Sequence, residues 1–97
     1  MNQIICDAIR DRRVLKFTYH GHPRVVEPYA YGLNKKLEEV LRCYQIGGIS
    51  GSRIIPCWQF LKVDEIEFLT VTEKSFLGNI PEYKRGDKYM STIFCEL

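Results

Sequence analysis

Hydrophobic and polar residues alternate along much of this chain with a period of two, the pattern that a half-buried β-strand produces. In the longest such run, residues 38–46, Leu41 and Cys43 fall on one side of the pleat. Arg42 and Tyr44 fall on the other side, because successive side chains of a strand point to opposite faces. We therefore expect Leu41 to face the core and Arg42 to face solvent.

Shorter alternating runs flank this strand. They cover residues 14–20, 24–27, 57–63 and 66–72. The tripeptide Gly21-His22-Pro23 predicts a turn that joins the first two runs as a hairpin. Pro28 is expected to bend or end the second strand, because proline has no N–H group to donate to a ladder, and residues 29–31 extend beyond it. The pattern indicates about five short strands with hairpin-like connections.

The two ends of the chain follow other patterns. Asn2 is a candidate N-cap for a helix in which apolar residues recur at helical spacing. The last quarter is irregular, and Tyr89–Cys95 is expected to form either a final strand or a packed tail. We predict one mainly β domain over residues 1–97, with a helix at 2–12, a small β-barrel at 14–72 and an irregular tail at 73–97.

Composition sets limits on function. The chain has 97 residues, and its 14 basic and 12 acidic residues give a net charge of +2, too mild to indicate nucleic-acid binding unless the cations cluster. No apolar run approaches the ~18 residues that span a bilayer, and no secretory signal precedes the first helix. We expect a cytoplasmic protein without a membrane partner. The four cysteines form no C-x-x-C pair, so we expect reduced thiols beside apolar neighbours.

Catalytic chemistry finds little support in the sequence. Cys43 with His20 or His22 suggests a Cys–His nucleophile, but Cys43 is expected to point to the core. The His20-x-His22 pair suggests a metal site, although such a pair at a turn is usually solvated. No glycine-rich phosphate loop followed by a lysine and a helix is present. We predict a protein that is not an enzyme and has no cofactor or metal.

Several short motifs resemble the WYL domain in order and spacing. They are Ala8–Arg13, Val14–Tyr19, Arg24–Pro28, Leu41–Tyr44 and Trp58–Ile66. The resemblance implies an SH3-like or Sm-like β-barrel, as found in bacterial transcription regulators in which the barrel senses a ligand or binds single-stranded nucleic acid. Only Leu41 remains of the Trp-Tyr-Leu run that names the family. One helix precedes the barrel where a helix-turn-helix needs two, so we expect a stand-alone, divergent member.

The functional prediction combines cations with aromatic residues. Arginine neutralises phosphates, and aromatic faces stack on bases. The predicted ligand-binding residues are Arg13, Tyr19, Arg24, Arg42, Tyr44, Arg53, Trp58 and Lys62. We predict a regulatory domain that binds a nucleotide or single-stranded nucleic acid on this face. The alternative is an Sm-like interaction module that forms homo-oligomers through its edge strands and binds no nucleic acid.

Overall fold

A computed structural model describes all residues from Met1 to Leu97 and shows a mainly β protein with one helix. The elements are α1 (Gln3–Arg10), β1 (Arg13–Tyr19), β2 (His22–Leu33), β3 (Glu39–Gly48), β4 (Cys57–Lys62), β5 (Ile66–Ser75) and β6 (Thr92–Glu96). A single 3-10 turn, Val63–Glu65, joins β4 to β5. The prediction of a β fold with an N-terminal helix is confirmed, although six strands form where about five were expected.

All six strands belong to one antiparallel sheet with the order β4-β3-β2-β1-β5, and β6 pairs with β2. No ladder joins β4 to β5, so the sheet is not closed. The C-terminal strand lies beside the second half of β2, where Tyr31 is opposite Cys95 and Gly32 is opposite Ile93. Part of the predicted irregular tail is therefore a strand of the sheet.

The second strand is much longer than its sequence predicts. It continues through Pro28, which was expected to bend or end it, and reaches Leu33. A register shift between Pro28 and Ala30 marks a bulge against β3. Tyr29 has no partner in this ladder, whereas Pro28 lies opposite Cys43, and a bulge of this kind bends the strand that carries it. Of the two predicted outcomes, a bend and an end of the strand, the structure shows the bend.

Helix α1 covers the inner face of the sheet. The side chain of Asn2 accepts a hydrogen bond from the backbone N–H of Ile4 (2.9 Å), which confirms the predicted cap. Ile5 and Ile9 are fully buried, and with Leu15 and Leu41 they form part of the main core. Leu41 therefore faces the core as predicted. No helix is long and apolar enough to cross a membrane.

A disulfide bond links α1 to the C-terminal strand. It joins Cys6 to Cys95, which lie 89 residues apart in the chain. The expectation that all cysteines are reduced is wrong for this pair. The remaining two, Cys43 and Cys57, are free thiols. The sequence gives no sign of the pairing, because the two partners meet only when β6 joins the sheet over the helix.

The segment between β5 and β6, residues 76–91, packs on the outer face of the sheet. Met90 on this segment forms a small buried cluster with Val40 on β3 and Ala30 on β2. Phe76 and Tyr83 pack around Tyr29, a second buried centre. The outer face of β3 is therefore partly covered by the C-terminal quarter of the chain and is not open to solvent along its whole length.

Candidate functional site

The outer faces of β3 and β4 meet in two cross-strand pairs that carry the predicted cation and aromatic residues. Arg42 lies opposite Phe60, and Tyr44 lies opposite Trp58. The guanidinium carbon of Arg42 is 4.2 Å from the centroid of the Phe60 ring, within the range of a cation–π contact. The predicted placement of Arg42 and Tyr44 on one face of their strand is confirmed, and the register places Trp58 and Lys62 beside them.

Arg42 is not the free cation that the sequence suggests. Its Nε donates a hydrogen bond to Oδ2 of Asp87 (2.7 Å), and its side chain is 19% exposed. Asp87 also accepts a hydrogen bond from the backbone N–H of Tyr89 (3.0 Å). Burial raises the pKa of Asp87, but the hydrogen bonds from Arg42 and Tyr89 outweigh burial, so that its pKa lies below the ordinary value. The expectation of a solvent-facing Arg42 is wrong, because segment 76–91 brings a carboxylate onto it.

Two clefts lie side by side where this segment crosses the outer face. The first has a volume of about 540 Å³ and is lined by Arg42, Trp58 and residues 82–89. The second has a volume of about 680 Å³ and is lined by residues 34–36, Glu38, Phe60, Lys62, Lys88 and Tyr89. Lys88 and Tyr89 line both clefts. We call the two together the paired clefts.

Basic side chains outnumber acidic ones in the paired clefts by seven to three. The basic residues are Lys35, Lys36, Arg42, Lys62, Lys84, Arg85 and Lys88, and the acidic residues are Glu38, Glu82 and Asp87. Lys62 forms an ion pair with Glu38 (Nζ to Oε2, 3.2 Å), whose hydrogen bond raises the pKa of Lys62. The surplus of cations makes this surface attractive to an anion.

Tyr89 lies where the two clefts meet. Its side chain is 58% exposed, an unusual position for a large aromatic residue. Cations lie near its ring, with Lys88 Nζ 5.4 Å and the Arg42 guanidinium carbon 5.8 Å from the centroid. Phe60 lies behind it with its centroid 6.1 Å away. The arrangement offers an exposed aromatic face, surrounded by positive charge, on which a flat ligand can stack.

Trp58 and Tyr44 form the inner wall of this region. Their rings meet edge to face with centroids 5.1 Å apart, and Tyr83 stacks on Trp58 from the C-terminal segment (6.2 Å). The indole Nε1 of Trp58 is buried and has no hydrogen-bond partner. Trp58 lines the first cleft, whereas Tyr44 supports it from behind.

Two of the predicted binding residues lie inside the protein. Tyr19 is 7% exposed and Arg24 is 6% exposed, so neither contributes to an open surface. Arg24 shares an inward-facing position with Val26 on β2, and its guanidinium donates to Gln45 Oε1 (3.3 Å) and to the carbonyl of Tyr19 (3.2 Å). Gln59 donates to the same Gln45 oxygen (3.1 Å). These polar groups hold Arg24 within the core, although its Nε is buried and has no hydrogen-bond partner.

The last two predicted arginines are exposed but lie outside the paired clefts. Arg13 donates to the carbonyl of Glu73 (2.8 Å) at the start of β1. Arg53 donates to the carbonyl of Trp58 (3.2 Å) from the loop before β4. Of the eight predicted residues, the clefts therefore bring together Arg42, Trp58 and Lys62.

Sequence reasoning missed most of the cations on this surface. Lys84, Arg85 and Lys88 come from the run YKRGDKY at 83–89, which holds three basic residues and one acidic one between two tyrosines. The aromatic residues at both ends and the local excess of cations were the available signal. It was overlooked because the segment shows neither helical nor strand periodicity.

The histidine and the cysteine considered for catalysis lie outside the paired clefts. His20 pairs with Glu65, and the hydrogen bond from His20 lowers the pKa of Glu65. Burial raises the pKa of Cys43 to about 12, which leaves that thiol protonated near neutral pH. No group of three His, Cys, Asp or Glu side chains is arranged to hold a metal ion.

The chain was compared with known proteins in three ways. No family model, no curated protein and no solved structure matches it.

Proposed function

We propose that this chain binds an anionic ligand, a nucleotide or a single-stranded nucleic acid, at the paired clefts without catalysing a reaction. The observation that carries the proposal is the exposed ring of Tyr89 at the junction of two clefts in which seven basic residues face three acidic ones. Stacking on an aromatic face and neutralisation of phosphates by nearby cations are the two contributions on which sequence-tolerant binding of single strands depends.

We further propose that the chain is a regulatory domain of the WYL type. The strand order β4-β3-β2-β1-β5, with a 3-10 turn before β5, supports a strongly curved SH3-like arrangement of the sheet. In this proposal the domain senses its ligand for a cytoplasmic transcription regulator. The run of motifs described above is the basis for this assignment.

The test is a titration of fluorescently labelled single-stranded DNA and RNA, followed by anisotropy at low and at moderate salt. We expect a dissociation constant on the order of 10 µM or tighter at low salt and a clear loss of affinity as salt rises, because binding releases counterions from the phosphates. Absence of binding at low salt, where phosphate contacts are strongest, contradicts the proposal.

Substitutions in the paired clefts, each matched with a control elsewhere on the surface, locate the site. Tyr89→Ala should weaken binding about tenfold or more, whereas Tyr89→Phe keeps the ring and should bind like the wild type. Phe68→Ala is the matched control, because Phe68 on β5 is an 80% exposed aromatic residue outside the clefts. Lys88→Gln should reduce the salt dependence by about one unit of slope, and Lys16→Gln on the exposed side of β1 should not. Equal effects of the site and control variants on affinity would exclude the paired clefts as the binding site.

A second function, self-association, is favoured by one feature of the sheet. Strand β5 pairs only with β1, and its free edge carries exposed Phe68 and Val71. Register shifts against β1 and the positive φ of Phe68 (58°) interrupt this edge, so only its regular part can pair with a second strand. Light scattering decides between the two functions, since a strict monomer that binds oligonucleotides excludes self-association as the role of the chain.

A further inference from the structure

The disulfide between Cys6 and Cys95 lies in a surface cleft of its own. This third cleft, about 610 Å³ in volume, runs between α1 and β6 and is lined by both cysteines and by apolar Ile9, Phe94 and Leu97. Cys6 is 7% exposed, and Cys95 is half-buried. A thiol that enters the cleft therefore meets the disulfide at Cys95.

The residues that follow Cys95 hold the wall of the first of the paired clefts. Glu96 accepts hydrogen bonds from Arg85 Nε (3.2 Å) and from the backbone N–H of Gly86 (3.0 Å). The carbonyl of Leu97 accepts a hydrogen bond from the hydroxyl of Tyr83 (3.1 Å). Tyr83, Arg85 and Gly86 all line that cleft. The last two residues of the chain thus help to fix where three residues of the cleft wall lie.

The covalent bond is the strongest tie that keeps this end of the chain in place. Strand β6 has only five residues and pairs with β2 alone, and a register shift between Tyr31 and Gly32 interrupts that ladder. The other edge of β6 pairs with no strand. A short, interrupted edge strand opens more easily than a central one once its cross-link is removed.

We propose that the Cys6–Cys95 disulfide is a redox switch that controls the shape of the paired clefts. A dithiol reductant of the thioredoxin class supplies the two electrons. Its thiolate attacks Cys95 Sγ, forms a mixed disulfide and expels the Cys6 thiolate, which takes up a proton. The second thiol of the reductant then attacks its own partner sulfur, releases Cys95 as a thiol and leaves the reductant oxidised. β6 is freed, and the wall formed by Tyr83, Arg85 and Gly86 loses its hydrogen bonds to the last two residues of the chain.

The switch consists of two steps, the release of β6 and the weakening of ligand binding. Release of β6 on reduction follows from the cleft, the cross-link and the short strand, and it requires no ligand. Weaker ligand binding in the reduced protein rests on the function proposed above. In a reducing cytoplasm the open form would prevail, and oxidation would assemble the binding surface.

The first experiment uses the wild-type chain without a ligand. The oxidised protein is incubated in native buffer with dithiothreitol or with tris(carboxyethyl)phosphine. Its free thiols are then alkylated, and the number of labels is read from the protein's mass in a mass spectrometer. We expect two additional labels within minutes. The Cys57→Ser variant, run in parallel, removes the one half-buried free thiol that could confuse the count. A disulfide that is reduced only after denaturant is added overturns the proposal.

The second experiment measures amide hydrogen exchange in the oxidised and reduced wild-type protein. Peptides covering residues 82–97 should exchange at least tenfold faster after reduction, while peptides covering β3 should not change. Equal exchange at 82–97 in both states overturns the proposed release. Uniform acceleration of the whole chain also overturns it, because that result describes global unfolding and not a switch.

The third experiment compares binding of the labelled oligonucleotides in the two redox states. We expect at least tenfold weaker binding by the reduced protein, and the Cys6→Ser/Cys95→Ser variant should match it with or without reductant. Equal affinity in both states overturns control of the clefts. If neither state binds, the proposed function fails, whereas the alkylation and exchange results still decide whether β6 is released.

Discussion

The ion pair between Arg42 and Asp87 gives the sharpest test of how the C-terminal segment is held on the sheet. The proposed change is Asp87→Asn, which keeps the shape of the side chain and an oxygen that accepts hydrogen bonds but removes the charge. Asp87 is 8% exposed and contacts Arg42 Nε at 2.7 Å. The variant therefore isolates the contribution of the negative charge to the free energy of unfolding.

The expected magnitude follows from the kind of hydrogen bond that is lost. A hydrogen bond to a charged group contributes about 1.5–3 kcal/mol, and a neutral one contributes about 0.5–1.5 kcal/mol. Because the Arg42 side chain is still 19% exposed, water compensates part of the loss. We expect Asp87→Asn to lower the free energy of unfolding by about 1–2 kcal/mol near neutral pH, or the melting temperature by about 5–15 °C for a domain of this size.

The contribution of the Asp87 charge to the free energy of unfolding depends on pH. The pKa of Asp87 in the folded protein lies below its ordinary value of 3.8, so its charge stabilises the fold above that value. This stabilisation is lost as the pH falls through the lower, folded-state pKa. The asparagine variant has no such group. Wild type and variant should therefore differ near neutral pH and converge in acid.

The assay is urea unfolding of both proteins at a series of pH values, followed by tryptophan fluorescence. Asp11→Asn is the matched control, because the Asp11 carboxylate also pairs with an arginine, Arg10, but at the exposed C-terminal end of the helix. This control should leave the unfolding midpoint unchanged. A difference between wild type and Asp87→Asn that persists in acid, or no difference near neutral pH, would refute the reasoning.

Two further predictions concern the close packing of the sheet. A Cβ atom on Gly32 would lie 2.0 Å from the carbonyl oxygen of Thr92, so Gly32→Ala should push β6 away from β2. We expect the substitution to lower the free energy of unfolding, measured in urea, by about 1–3 kcal/mol. Burial raises the pKa values of Tyr29, Tyr31 and Tyr83 from 10.0 to about 12. The contribution of these tyrosines to stability should therefore be constant below pH 10 and be lost between pH 10 and 12, because tyrosinates form more readily in the unfolded chain. An ultraviolet titration in which all tyrosines ionise before the fold is lost would contradict this.

Strand alternation predicted most of the sheet because each pattern is local. The inward position of Leu41 and the shared outer face of Arg42 and Trp58 need only the period of two and the register of one hairpin. The bulge at Pro28 was not predictable in this way. The bulge depends on the register of β2 against β3, in which Tyr29 has no partner, and the sequence of β2 alone does not contain that register.

The contacts that shape the candidate site are long-range, and no local pattern encodes them. Asp87 meets Arg42 across 45 residues of chain, and Cys6 meets Cys95 across 89. Segment 76–91 is anchored by single side chains such as Met90 and Tyr83, not by a ladder, so it leaves no periodic signature. Four cysteines without a spacing motif allow three pairings when all are paired, and here only two of them are joined.

The mild net charge of the chain conceals how unevenly its charges are distributed. Seven of the 14 basic residues line the paired clefts, together with only three of the 12 acidic ones. The rest of the chain therefore carries seven basic and nine acidic residues, and its net charge is opposite in sign to that of the clefts. An anion approaching the protein meets attraction at one surface and weak repulsion elsewhere, which orients the encounter. Composition gives only the net charge of the whole chain, so a net charge of +2 is compatible with a strongly basic surface. The position of segment 76–91 creates that surface, because it brings Lys84, Arg85 and Lys88 next to the cations of the sheet.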